Sequence, residues 1–121
     1  MFMKISDYLF TVLYNFDTKP QSEFSTLFNL PNVARRYMEA FGGIMIPSFA
    51  GLQNKMKKLF PDGTERERVW KFINYYSHNT TINRSLTIPD NSECKAIVAS
   101  CLKVVRERYR EHYDALVEAI T

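Results

Sequence analysis

The sequence predicts an all-α fold, a single-domain helical bundle of about six helices. Through most of the chain, apolar side chains return every three or four residues, as they do on one face of a helix. Short segments rich in Pro, Gly, Asp and Asn separate these stretches, and no segment alternates apolar and polar residues as a half-buried strand does. With 121 residues, 45% of them hydrophobic, we expect one core and one domain over residues 1–121.

The first predicted helix begins near Ser6 and Asp7, whose side chains suit a helix N-cap. It ends in the polar segment 17–22, and a single turn of helix is expected at 23–28. Residues 79–88 are polar without helical periodicity, so they are interpreted as the longest loop.

A second helix is predicted to begin around Pro31, because the first turn of a helix does not need the N–H that proline lacks. The pair Gly42 and Gly43 favours its end. Residues 44–47 then form a short extended connector, and Ser48 caps a third helix that runs to residue 60.

Two capping boxes mark the starts of later helices. Thr64 with Glu67 begins one, and Asp90 with Glu93 begins a long final one. The apolar pattern of this final helix shifts near residues 108–111, where we expect a kink.

Composition limits the classes of protein to which the chain can belong. Sixteen Lys and Arg residues against thirteen Asp and Glu give a net charge of +3, which permits contact with phosphates but is lower than dedicated nucleic-acid binders usually carry. Without a secretory signal or a long apolar run, we expect a cytoplasmic protein with no membrane partner. Cys94 and Cys101 are seven apart, about 10 Å along one helix, so we expect buried free thiols in a reducing compartment.

Common catalytic motifs are absent from the sequence. It contains no phosphate-binding glycine loop, no Cys-x-x-Cys pair, no His-Glu-x-x-His and no nucleophile elbow. Its two cysteines and His112 lie well apart along the predicted final helix, and His78 lies on another helix, which does not suit a zinc site. We therefore expect no metal and no small-molecule cofactor.

One set of residues suits metal-free cleavage of RNA. Arg35 and Glu39 lie four apart on a predicted helix and so share a face, and His78 follows at the end of another helix. A histidine can exchange protons near neutral pH, and an arginine can hold the charge of a pentavalent phosphate. Simpler interpretations stay open: an exposed Arg–Glu pair is worth only about 0.3 to 0.5 kcal/mol, and a histidine can complement a helix C-terminus.

Four segments taken together resemble a known bacterial family: residues 28–41, 52–60, 72–78 and 111–118. They are similar to the C-terminal part of a group of ATPases that includes the anticodon nucleases of phage defence. That part is counted among the HEPN-like helical ribonuclease domains. The resemblance extends from about Tyr8 to Glu118 and implies a HEPN-like bundle acting on RNA such as tRNA.

The resemblance also implies roles for individual residues. Its catalytic residues correspond to Arg35, Glu39 and His78. Glu39 is expected to orient the arginine or to act as a second acid–base group. Asn74, one helical turn before the histidine, and Ser77, next to it, are expected to position it. Contacts with RNA or with a protein partner are expected at Arg36, Asn74, Ser77 and Arg84.

Two functions stay open, because the ATPase of those nucleases is not within these 121 residues. One is a toxin-type ribonuclease module that a partner must restrain. The other is an immunity protein or antitoxin that binds a nuclease toxin without catalysis. A decoy that dimerises with an intact ATPase is a third, less economical possibility. The expected partners are thus RNA or a toxin or antitoxin protein, and a homodimer is also open.

Overall fold

The computed structural model describes residues 5–18, 24–46, 51–77 and 90–121, and in these ranges every regular element is a helix. The six helices are α1 Ile5–Thr18, α2 Phe24–Met45, α3 Leu52–Leu59, α4 Gly63–Ser77, α5 Asn91–Arg108 and α6 Arg110–Ile120. The predicted all-α class and the number of helices are confirmed for the described part of the chain. The predicted loop over residues 79–88 lies outside it.

Helix α2 is the centre of the bundle, since it packs against α1, α3, α4 and α5. Its buried side chains recur at helical spacing, as the sequence predicts: Leu30, Ala34, Tyr37, Met38 and Phe41. Helix α5 is buried along much of its length and packs on α1, α2 and α4. The core is therefore one contiguous apolar cluster around α2 and α5.

An aromatic cluster joins α1 to α2 and α6. The Phe10 ring is fully buried, with its centroid 6.0 Å from that of Tyr37 on α2 and 5.7 Å from that of Tyr113 on α6. The Tyr113 ring meets it edge-on, at 87°, which is a favourable geometry for aromatic pairs. Phe10 therefore holds the first and last described helices against the same core.

The predicted turn at 23–28 and the helix predicted to begin at Pro31 are one continuous helix. Pro31 lies in the second turn of α2 and is buried. A proline there costs one helical hydrogen bond. The neighbouring Leu30 and Ala34 are both fully buried, and this packing offsets the loss.

The prediction that Gly42 and Gly43 end this helix was wrong, because α2 continues to Met45. Gly42 is buried where α2 passes close to α3. A Cβ atom at Gly42 would lie 3.6 Å from Cδ of Lys55 and 3.7 Å from Cδ1 of Leu59. These distances are ordinary van der Waals contacts, so Gly42 lies inside the helix where α2 faces α3. Part of the predicted extended connector is helical.

The N-cap of α4 differs from the predicted capping box of Thr64 and Glu67. The helix begins at Gly63, and Oδ1 of Asp62 accepts hydrogen bonds from the backbone N–H of Thr64 at 2.9 Å and of Glu65 at 3.3 Å. Asp62 is therefore the cap. Asp62 and Thr64 both have side chains that can cap a helix N-terminus, and the earlier of the two, Asp62, does so.

The other predicted boundaries have mixed outcomes. Asp90 caps α5 as predicted, since its carboxylate accepts from the backbone N–H of residues 92 and 93. Tyr109, with φ −147° and ψ 65°, separates α5 from α6 at the predicted kink. Ser6 and Asp7 were wrong as caps because they lie inside α1. The predicted cap Ser48 is outside the described residues, and α3 starts only at Leu52, later than predicted.

Both cysteines are buried and free, as predicted. Burial raises the pKa of the Cys94 thiol to about 12, and the nearby carboxylates of Glu93 and Asp90 act in the same direction. Burial, assisted by Glu65, raises the pKa of Cys101 to about 12 as well. Among the described helices, none combines the length and apolar character that a membrane span requires.

We expect Asp62→Ala to lower the free energy of unfolding by about 0.5 to 2 kcal/mol, the usual cost of losing an N-cap. Thr64→Ala is the matched control, and it should change stability by less than about 0.5 kcal/mol, since Thr64 is exposed and alanine favours helix. Urea unfolding followed by circular dichroism measures both. A larger loss of unfolding free energy in Thr64→Ala than in Asp62→Ala would contradict this assignment and support Thr64 as the cap.

We expect alkaline pH to destabilise the protein through its thiols. The unfolded thiols ionise near pH 8.5, whereas the folded ones keep their protons up to about pH 12. The folded state therefore retains full stability below about pH 8.5 and loses up to about 1.4 kcal/mol per pH unit and per thiol above it. Urea unfolding at pH 7.0 and 9.5 tests this. The double variant Cys94→Ala with Cys101→Ala should show a smaller difference between the two pH values.

Candidate functional site

Three of the predicted site residues are in contact, and we call them the Arg35 cluster: Arg35, Glu39 and Asn74. Nε of Arg35 donates to Oε1 of Glu39 at 3.1 Å along α2. Nη1 of the same guanidinium donates to Oδ1 of Asn74 at 2.7 Å, across to α4. The cluster therefore links the central helix to α4 through a charged donor.

The orientation of Asn74 follows from its own helix. Its Nδ2 donates to the backbone oxygen of Trp70, four residues earlier in α4, at 2.9 Å. Because the amide nitrogen is used in this way, the amide oxygen faces Arg35. The guanidinium is thus held by one acceptor from its own helix and one from a neighbouring helix.

Exposure differs within the cluster. The Arg35 side chain is 23% exposed, whereas Glu39 is 49% exposed. A guanidinium that is mostly covered but still reaches the surface attracts an anion more strongly than a fully solvated one does. Its planar fork of N–H groups also suits the oxygens of a phosphate. The cluster therefore places a partly covered guanidinium beside a carboxylate that is more open to water.

Helix α4 also contacts α5, through the carboxylate of Glu65. Glu65, whose side chain is 17% exposed, accepts a hydrogen bond from Oγ of Ser100 at 3.0 Å and pairs with Nζ of Lys103 at 3.5 Å. Both partners belong to α5. Helix α4 is therefore tied to α5 near its beginning and to α2 near its end, which places Asn74 reproducibly.

The remaining predicted residues have different positions. Arg36 is exposed on α2, next to the cluster in sequence. Ser77 is the last residue of α4. His78 and Arg84 lie outside the described residues, so the roles expected of them stay predictions.

Asn74 makes a contact that the sequence did not predict. Its side-chain oxygen accepts a hydrogen bond from Arg35. Its expected role in positioning His78 stays a prediction, because His78 lies outside the described residues. Helical spacing relates residues within one helix, and this contact joins residues 39 positions apart. Nothing in the sequence pattern indicates which polar residue of α4 faces α2.

A cleft between α3 and α4, here called the α3–α4 cleft, was also missed. It has a volume of about 200 Å³ and lies one helical turn from Asn74. The side chains that define its character are Met56, Lys57, Arg66, Glu67 and Trp70. Its lining residues come from two helices, so no local spacing in the sequence indicates the cleft.

Within the described ranges, no group of three or more His, Cys, Asp or Glu residues is placed to hold a metal ion. No protein-family model, no curated protein and no solved structure matches the chain. The HEPN-like relationship therefore stays a prediction that rests on the four sequence segments.

We expect the contact of Arg35 with Asn74 to contribute more to stability than its contact with Glu39. A partly buried hydrogen bond from a charged donor is worth about 1.5 to 3 kcal/mol, against about 0.3 to 0.5 kcal/mol for an exposed helical ion pair. Double-mutant cycles with Arg35→Ala, Asn74→Ala and Glu39→Ala, measured by urea unfolding, give both coupling energies. Equal coupling energies would contradict the expected order.

Proposed function

We propose that this protein is a HEPN-like ribonuclease module of a bacterial conflict or defence system, which cleaves RNA without a metal ion. The observation that carries the proposal is the Arg35 cluster. It holds a partly covered arginine beside a carboxylate, next to the end of α4. His78 follows that end directly in the sequence.

The proposed reaction uses the RNA's own 2′-hydroxyl as nucleophile. Its oxygen forms a bond to the adjacent phosphorus, its proton passes to a base, and the bond from phosphorus to the 5′-oxygen breaks. The leaving oxygen takes a proton from an acid, which leaves a 2′,3′-cyclic phosphate and a 5′-hydroxyl. His78 is the proposed acid–base group, since an imidazole exchanges protons near neutral pH.

Arg35 is the proposed stabiliser of the pentavalent phosphate. Its guanidinium is already oriented by Glu39 and Asn74, so little reorganisation is needed when charge develops on the phosphate oxygens. Glu39, about half exposed, either keeps this orientation or serves as the second acid–base group.

A second candidate is an immunity protein or antitoxin that binds a nuclease toxin without catalysis. One feature of the cluster favours it, because both contacts described for Arg35 are internal and its charge is balanced by Glu39. An arginine used in this way can simply tie α2 to α4. The two candidates differ in whether the protein cuts RNA.

We expect expression of the wild type in a growing bacterial culture to stop growth and to fragment tRNA on a denaturing gel. His78→Ala should abolish both effects. In purified protein, Arg35→Lys should lower the cleavage rate about 100-fold or more, because lysine lacks the planar fork that binds phosphate oxygens. Arg68→Lys, an equal change at an exposed residue of α4, is the control and should cleave as the wild type does.

Two further results are decisive. Cleavage by the wild type should persist in excess EDTA, since the proposed reaction needs no metal. If wild type and His78→Ala are both harmless and RNA stays intact, the ribonuclease proposal is wrong. Protection of cells against a co-expressed nuclease toxin would then support the immunity protein.

A further inference from the structure

The α3–α4 cleft combines an aromatic wall with an apolar floor. Trp70 of α4 is half-buried and packs against the edge of the core. Met56 of α3 is 1% exposed and forms the floor. At about 200 Å³, the cleft is smaller than the roughly 300 to 1,000 Å³ of typical small-molecule pockets. Its size suits one flat ring, with the rest of a larger ligand on the surface.

The rim of the cleft is positively charged. Lys57 is exposed on α3, and Arg66 on α4 is held in place by a hydrogen bond from its Nη1 to the backbone oxygen of Phe60 at 3.0 Å. Glu67 is the single carboxylate among the lining residues, and Lys71 pairs with it at 3.2 Å. The cleft thus presents two cations beside an aromatic ring, which suits an anionic aromatic ligand.

The cleft is connected to the Arg35 cluster through α4. Trp70 and Asn74 are one helical turn apart, and the Trp70 backbone oxygen accepts the hydrogen bond that orients Asn74 towards Arg35. A base at Trp70 therefore lies one helical turn from the residue that contacts Arg35, the arginine that the proposed function places on the scissile phosphate.

We infer that the α3–α4 cleft binds one unpaired nucleobase of single-stranded RNA, stacked on Trp70, with the flanking phosphates on Lys57 and Arg66. This inference rests on the proposed function, whose substrate it would position. Stacking on an aromatic side chain tolerates any base, and the two cations bind the backbone. The cleft therefore selects single strands over duplexes, whose bases are already stacked on one another.

Trp70 is the only tryptophan in the chain, so its fluorescence reports on this cleft alone. The probe is a short single-stranded RNA with 2′-O-methyl groups, which binds but has no 2′-hydroxyl to attack the phosphate. We expect it to quench Trp70 emission in a saturable manner. The same sequence in duplex form should bind without comparable quenching.

Variants distinguish the contribution of base stacking from that of phosphate binding. The binding of each variant to a labelled single-stranded oligonucleotide is measured by fluorescence anisotropy. Trp70→Ala should weaken binding about 5- to 150-fold, whereas Trp70→Phe, which retains an aromatic ring, should weaken it much less. Lys57→Gln should reduce the slope of log K against log salt concentration by about 0.7, the value for one lost phosphate contact. Arg68→Gln, an equal loss of charge on the opposite side of α4, should leave the slope unchanged. Circular dichroism checks that each variant folds.

The outcomes distinguish this inference from the proposed function. Cleavage of RNA with unchanged Trp70 emission and normal binding by Trp70→Ala would overturn the inference and leave the ribonuclease intact. Quenching and the variant effects without any cleavage would support the RNA-binding cleft and overturn the ribonuclease. Equal quenching by duplex and single strand would overturn stacking. If a toxin protein, but no RNA, changes Trp70 emission, the cleft is a protein-binding surface and the inference is wrong.

Discussion

Burial of α2 among α1, α3, α4 and α5 is the constraint on which the other features depend. Its apolar stripe supplies the centre of the core, and the same helix presents Arg35 and Glu39 on another face. Apolar packing already holds α2 and α4 together. The hydrogen bond between the guanidinium of Arg35 and the amide of Asn74 therefore does not have to offset the entropy lost when the two helices come together. The polar cluster therefore adds specificity to an interface that hydrophobic burial creates.

The Arg35 guanidinium is neither fully buried nor fully exposed, and each extreme would have a disadvantage. A fully buried guanidinium would need complete pairing, and a fully exposed one would be screened by water and salt. Partial cover, with one acceptor from each of two helices, keeps the charge in place and still in reach of the surface. The same geometry suits both a catalytic arginine and a structural tie between α2 and α4.

The α3–α4 cleft and the Arg35 cluster share α4, and this helix is anchored at both ends. Asp62 caps its start, Glu65 ties it to α5, and Asn74 ties it to α2. A helix held in this way keeps Trp70 and Asn74 at a fixed separation. Trp70, which lines the cleft, and Asn74, which contacts Arg35, therefore keep a defined order along one helix.

The sequence by itself determined the helical class of the described residues and most of their buried faces, because helical periodicity is a local property and apolar residues at that spacing must be buried. It also determined that Arg35 and Glu39 share a face, since they lie four apart in one helix. Tertiary structure decided the rest. Packing carries α2 through Pro31 and past Gly42, where local preference favours boundaries. Packing likewise brings Asn74 to Arg35 and places Trp70 beside Lys57, because these pairs belong to different helices and no local spacing specifies which faces meet.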